Sequence, residues 1–226
     1  VREELPGDAG KWSKDVVAAG EETMRVIAGQ ARGTRLRTLR GRRTRPTSDR
    51  VRESLFNILG PRVQEAEMLD LFAGSGSVGV EALSRGARRV VFVENDAAAA
   101  QVIRQNLSLT HQAGRAEIRV QHALVAVRQL ARQGRGFPLI FLDPPYDRNW
   151  PALTLRVLAE TRILSAGGLI VVEHGCRDAV PAQVEDIALA RQNTYGESAL
   201  SFYHLGRPNE AREEDRDAGC HLPGQL

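Results

Sequence analysis

Apolar residues recur along this chain in two alternating rhythms. Short apolar-rich runs stand at 68–72 (MLDLF), 89–93 (RVVFV), 117–121 (EIRVQ), 138–142 (PLIFL) and 169–173 (LIVVE). Between them, near 78–85, 97–109, 124–133 and 151–163, the pattern is helical. Short strands alternating with helices mean βαβ units, hence an α/β fold with a parallel sheet covered on both faces. Upstream, TSDRVRESLFNILG sets Val51, Leu55, Ile58 and Leu59 at i, i+4, i+7 and i+8, with Gly60 as a stop. That is an amphipathic helix, to be capped by Thr47, Ser48 or Asp49. Before it, MRVIAGQARGTRLRTL has short alternating stretches broken by Gly29 and Gly33, which predicts a small β-rich arm. Near the other end, IALARQNTYGESALSFYHL holds two strand-like runs around Tyr195-Gly196-Glu197-Ser198, a β-hairpin. Residues 1–23 are polar and aperiodic, and 207–226 are charged. Both are expected to be flexible extensions of one domain at 24–206.

Charge is distributed unevenly. The net +3 of the 226 residues divides into −3 over 1–24, +9 over 25–52, about −1 over 53–206 and −2 over 207–226. The basic segment holds ten arginines against Asp49 alone. A basic arm on an almost neutral body is the electrostatic footprint of a nucleic-acid binder, and a bias toward arginine over lysine does not explain the missing acids. Arg32, Arg35, Arg37, Arg40, Arg42, Arg43, Arg45 and Arg50 are the candidate phosphate contacts.

The remaining composition narrows the setting. No apolar run approaches the ~20 residues of a membrane span. VREELPGDAG lacks the basic start and apolar core of a secretory signal. Cys176 and Cys220 are the only cysteines and have no ligand spacing, so a cytoplasmic protein without a disulfide framework is expected. His111, His174, His204 and His221 are scattered, so no metal is expected.

Two motifs carry chemistry. LDLFAGSGSVGVEAL, 69–83, runs from a strand through Gly74, Gly76 and Gly79 into a helix, and Glu94 ends the following strand. Glycines that let the backbone approach a ligand, followed by an acid for ribose hydroxyls, describe a nucleotide-like site. Asp70, four residues before Gly74, repels a pyrophosphate and suits an ammonium group, acting through water or by ordering the glycine turn. This favours S-adenosylmethionine, which carries an amine and a sulfonium and no phosphate, over NAD.

The second motif is Asp143-Pro144-Pro145-Tyr146, where an apolar strand stops on two residues that have no N–H to give. Strand ends of open α/β sheets face the ligand crevice. An exocyclic amine on a nucleobase is a poor nucleophile, so a methylating site must hold it in line and accept its hydrogens. The Asp143 carboxylate and the Pro144 carbonyl can accept them, and Tyr146 can stack on a base taken out of its helix. Trp150 either lines that base pocket or packs.

DLFAGSGSVG with DPPY resembles the amino-methylating class I S-adenosylmethionine-dependent methyltransferases. MRVIAGQARGTRLRTL, TRPTSDRVRESLFN, LDLFAGSGSVGVEALSRGA and YGESALSFY, spread over 24–206, resemble the bacterial 16S ribosomal RNA guanine-N2 methyltransferase family (RsmD-like). The resemblance implies a Rossmann-like, seven-stranded, mostly parallel sheet whose final strand is antiparallel. It implies a cofactor loop of Asp70, Phe72, Ala73, Gly74, Ser75 and Gly76, with Glu94 and Asn95 at the ribose, and a catalytic loop of Asp143, Pro144, Pro145 and Tyr146. Arg45-Pro46-Thr47 matches a motif lying near the methionine end of the cofactor and the RNA. Where many members carry an acid-Ala pair toward the adenine, this chain has Gln121-His122-Ala123, which leaves adenine recognition to backbone groups at His122 and Ala123, while the His122 side chain reads more readily as solvent-facing. The implied substrate is 16S ribosomal RNA within an assembling small subunit, met by a monomer. A DNA adenine-N6 or cytosine-N4 methyltransferase is the rival, disfavoured because only 66 residues separate Gly76 from Asp143 and secondary structure consumes them. A non-catalytic RNA-binding assembly factor is the other alternative.

Overall fold

The computed structural model describes residues 24–38, 48–145 and 149–206. Thr47, Tyr146, Arg40, Arg42, Arg43 and Arg45, and the extensions expected at 1–23 and 207–226, lie outside the described residues.

The first helix, α1, spans Asp49–Leu59, and Ser48 caps it by accepting the Val51 N–H on Oγ at 3.3 Å. Its inner face is Val51, Arg52, Leu55, Phe56 and Leu59, with Ile58 only half-buried. Then follow β1 (Glu67–Leu71), α2 (Ser77–Ser84), β2 (Arg89–Glu94), α3 (Ala97–Leu109), β3 (Ala116–Val120) and α4 (Ala123–Arg132). The chain continues with β4 (Phe137–Leu142), α5 (Trp150–Thr161), β5 (Leu164–Gly175), β6 (Gln183–Val184), β7 (Ile187–Tyr195) and β8 (Ser198–Leu205).

The strands lie in the order β3-β2-β1-β4-β5-β8-β7-β6. β1 to β5 are parallel, and β8 inserts antiparallel beside β5. The sheet has eight strands rather than the expected seven. The extra one is two-residue β6, folded back onto Ile187 and Ala188, and two residues are too few to show an alternation. β5 is longer than the apolar run at its centre because Leu164 pairs with Phe137 and Gly175 with Ser198.

Two apolar layers sandwich the sheet. Leu55, Phe56, Met68, Phe92, Ile103 and Phe141 fill the side of α1, α2 and α3. Leu71, Val93, Leu130, Ile140 and Leu158 fill the side of α4 and α5. Side chains alternate along a strand. The phase that buries Met68, Phe92, Phe141 and Val171 therefore carries Asp70, Glu94, Asp143 and Glu173 toward the α1–α3 side, at or near the C-terminal strand ends.

The arm at 24–38 is β-like but minimal. It holds a single antiparallel bridge, Arg25–Arg35, beside the backbone bonds Val26 N–H to Thr34 and Leu36 N–H to Met24. Its order comes from side chains on the body. Buried Glu81 accepts the Ile27 and Ala28 N–H groups at 2.8 and 3.0 Å, and the Ser84 hydroxyl takes the Ala31 N–H at 2.9 Å. A Cβ on Gly29 would sit 1.9 Å from the Ser84 carbonyl oxygen, so only glycine lets the arm approach α2 this closely. No helix among the described residues is long and apolar enough to cross a membrane.

Candidate active site

β1 stops at Leu71, and Phe72 enters the left-handed region at φ 62°. A non-glycine residue held there costs about 1–3 kcal/mol and persists only where its surroundings fix it. Phe72 meets Trp150 edge-on at 5.9 Å between ring centroids, and His122 lies 5.4 Å from the same indole. Trp150 thus packs on the glycine turn and the α4 entrance. The turn itself is closed by Ala73 N–H to Val93 and Gly76 N–H to Ala73.

The α2 helix starts against the strand floor. A Cβ on Gly79 would lie 2.2 Å from the Phe92 ring and 2.9 Å from the Asp70 carboxylate. The third glycine of the motif is there for close helix–strand approach. In that space Asp70 Oδ2 accepts the Gly79 N–H at 3.0 Å. Asp70 is 1% exposed, and burial pushes its pKa up to about 7, against the Gly79 hydrogen bond and with help from the Glu94 charge. Asp70 therefore lies behind the turn and orders it. Glu94, at the end of β2, accepts the Gly74 N–H at 2.8 Å and the Asp96 N–H at 2.9 Å. Each oxygen retains acceptor capacity, which is what the two O–H donors of a ribose diol require.

Asp143 follows the last residue of β4, and its N–H reaches the Leu71 carbonyl at 3.4 Å. The carboxyl-bearing corner is thereby set beside the entrance to the glycine turn. Pro144 is buried and Pro145 exposed, while Asp143 keeps an exposed edge. Burial, the Glu173 charge and the Asp70 charge together raise the Asp143 carboxyl well above its ordinary range. Phe72, Ala73, Gly74 and Ser75 are half-buried around the crevice, Gly76 and Ala123 are buried, and Asn95 and His122 are exposed.

The basic segment divides. Arg32 and Arg50 are exposed, and half-buried Arg37 bonds Gln105 at 3.2 Å. Arg35, on the bridge to Arg25, is exposed as well. Arg52, counted in the sequence with the basic arm, is fully buried under it, bonded to the Arg25 carbonyl at 2.5 Å and Asp49 at 2.9 Å. Burial lowers its pKa, with Asp49 and Glu81 opposing.

Three supporting residues were missed in the sequence. Glu81 and Ser84 hold the arm. Buried Asn106 bonds the Arg37 backbone through both amide atoms and donates to the Ser75 carbonyl at 2.9 Å, tying arm to glycine turn. The signal for Glu81 was available, as a lone acid within the apolar run VGVEAL.

Residues 24–204 match the family model described as Conserved hypothetical protein 95. The chain is 37% identical over 193 residues to ribosomal RNA small subunit methyltransferase D of Escherichia coli (strain K12), covering 85% of this chain and 96% of that one. It is 39% identical over 187 residues to the protein of the same name in Haemophilus influenzae, covering 82% and 95%. Among solved structures, the Escherichia coli protein yhhF superposes with a TM-score of 0.72 at 36% identity, over 82% of this chain and 99% of that one. With almost every described residue inside one family model, and with these relatives matched over nearly their whole length, the chain belongs to the Conserved hypothetical protein 95 family of RsmD-like methyltransferases.

Proposed function

We propose that this protein methylates the exocyclic N2 amine of a guanine in 16S ribosomal RNA, using S-adenosylmethionine. The observation that carries the reading is the placement of Asp143, one residue past β4 and bonded to the end of β1 where the glycine turn begins. S-adenosylmethionine supplies a methyl group on a sulfonium, so that a new N–C bond forms while the S–C bonding pair leaves on sulfur. Glu94 holds the ribose hydroxyls, and Asp70 keeps the glycine turn and the start of α2 in place. Asp143 accepts one N2–H and takes up the proton that the alkylated amine must lose. The Pro144 carbonyl accepts the second N2–H and turns the lone pair toward the methyl group. Residues 24–206 carry the activity, and the arginines of 24–47, with Arg50, hold RNA phosphates. The substrate is the assembling small subunit, met by a monomer in the cytoplasm.

The test is nucleoside mass spectrometry after incubation with S-adenosylmethionine and, separately, unmodified small subunits, naked 16S RNA and duplex DNA. N2-methylguanosine in the ribosomal samples is expected, more in particles than in naked RNA. N6-methyladenine in DNA would overturn the reading, and no product despite bound cofactor would reduce the protein to a binding factor.

A further inference from the structure

A cavity of about 290 Å³ opens beside Glu173 on the α1 side of the sheet. Its walls are Ser48, Arg50 and Val51 at the start of α1 and the β7–β8 turn from Tyr195 to Ser198. None of these belongs to the glycine turn, to Glu94 or to the 143–145 corner, so the cofactor site does not account for it. The volume is at the lower end of the roughly 300–1,000 Å³ typical of small-molecule pockets, the scale of one planar base.

Glu173 joins this cavity to the transfer corner. Leu142 and Val172 are paired in the parallel ladder, so Asp143 and Glu173 stand one register step further on, level with each other. Neighbouring strands lie about 4.8 Å apart. At that separation the Glu173 charge acts on Asp143 and raises its carboxyl further.

Bases that carry an exocyclic amine differ in the ring nitrogen next to it. Guanine has a donor, N1–H, beside its N2 amine. Adenine has a bare acceptor, N1, beside N6, and cytosine has a bare N3 beside N4. An ionised carboxylate offers acceptors only. A second carboxylate next to the one that holds the amine therefore bonds the ring N–H of guanine and opposes the lone pair of adenine or cytosine.

We infer that Glu173 selects the base: it accepts the N1–H of a guanine seated between α1 and the β7–β8 turn, while Asp143 accepts an N2–H. This rests on the guanine-N2 reading and deepens it, from the site of methylation to the identity of the base. N1 and N2 share one ring carbon, and their hydrogens leave the same edge side by side, toward two carboxylates on adjacent strands. A site built to bond a substrate N–H rejects an analogue lacking it by roughly 10⁴–10⁵-fold.

The test uses 2-aminopurine, which keeps the C2 amine and replaces the N1–H by a bare acceptor. The guanine modified by the wild-type protein is mapped, and small subunits are reconstituted with ligated 16S RNA carrying 2-aminopurine at that position. Wild-type kcat/KM is expected to fall roughly a thousandfold or more from guanine to 2-aminopurine. Glu173→Gln, which has an amide N–H to donate to the bare N1, is expected to narrow the ratio to within about tenfold. Equal wild-type rates on the two bases overturn the inference, and this comparison needs no variant to fold. An unchanged preference in a Glu173→Gln protein that still binds S-adenosylhomocysteine overturns it as well. A wild-type product other than N2-methylguanosine sinks the guanine-N2 reading and this inference together, and product mass tells that failure from the others.

Discussion

Glu94 and Gly74, twenty residues apart, are joined by a 2.8 Å hydrogen bond from the glycine N–H to the carboxylate. One side chain thus shapes the turn and is the proposed acceptor of the ribose hydroxyls. Hydrogen bonds to charged groups contribute about 1.5–3 kcal/mol each. Glu94→Ala is therefore expected to weaken S-adenosylhomocysteine binding by roughly 10- to 100-fold in calorimetric titration, with an unchanged circular dichroism spectrum. Affinity within a factor of about two of wild type would remove Glu94 from the cofactor site.

Asp70 makes stability depend on pH with a definite sign. Its pKa is about 7 in the folded protein against an ordinary value of 3.8, so the folded state binds more protons between those limits. Unfolding free energy then falls as pH rises through that window, and the loss is complete above about 7. The gap corresponds to about 4 kcal/mol. Asp70→Asn, whose amide oxygen can still accept the Gly79 N–H, is expected to lack this fall and to outlast wild type in urea at pH 8. Parallel pH–stability curves for the two proteins would show that Asp70 is not held protonated.

The periodic parts of this fold were legible in the sequence because burial on both sheet faces enforces them. The helical stretch expected near 97–109 is α3, Ala97–Leu109, and the structure adds Asp96 as its cap. What escaped was set by interactions remote in sequence. Arg52 reads as one more cation of a basic arm, yet the arm itself covers it, and its Nε and Nη1 have no hydrogen-bond partner among the described residues. The arm reads as β because its residues alternate, and it does pair across one bridge, but side chains of α2 and α3 satisfy the rest of its backbone. The carboxylate row shows the same limit. Asp70, Glu94 and Asp143 stand in motifs, whereas Glu173 gains its neighbour only when β5 pairs with β4.

Glu81 anchors the arm through two backbone bonds and sits against Arg85 at 2.6 Å and Arg52 at 3.9 Å. Removing one partner of a buried ionic cluster costs about 3–5 kcal/mol, because the remaining charges lose compensation. Glu81→Ala is expected to lose that much stability in urea titration. The same variant should accelerate hydrogen exchange at the Ile27 and Ala28 amides selectively. Protection unchanged at those two amides would mean that the arm docks without Glu81.

Arg32 and Arg35 are exposed cations of the arm. Each phosphate that a protein no longer neutralises reduces the slope of log affinity against log salt by roughly 0.7–0.9. Arg32→Glu with Arg35→Glu is expected to weaken binding to 16S RNA and flatten its salt dependence, leaving cofactor affinity unchanged. An identical salt slope would remove these two side chains from the RNA interface.

Asp143 must be ionised to accept an amine proton, yet burial and the charges of Glu173 and Asp70 favour its protonated form. Activity should accordingly rise with pH, with an apparent pKa well above the ordinary carboxylate range in kcat/KM. Taking away one of those charges relieves the effect, so Asp70→Asn is expected to move the acid limb to lower pH. A limb that stays in place would mean that another group titrates. Asp143→Ala is expected to abolish methyl transfer while S-adenosylhomocysteine still binds, since neither Glu94 nor the glycine turn depends on that side chain. Full activity in this variant would take the proton acceptor away from β4 and leave the orientation of the amine to backbone carbonyls alone.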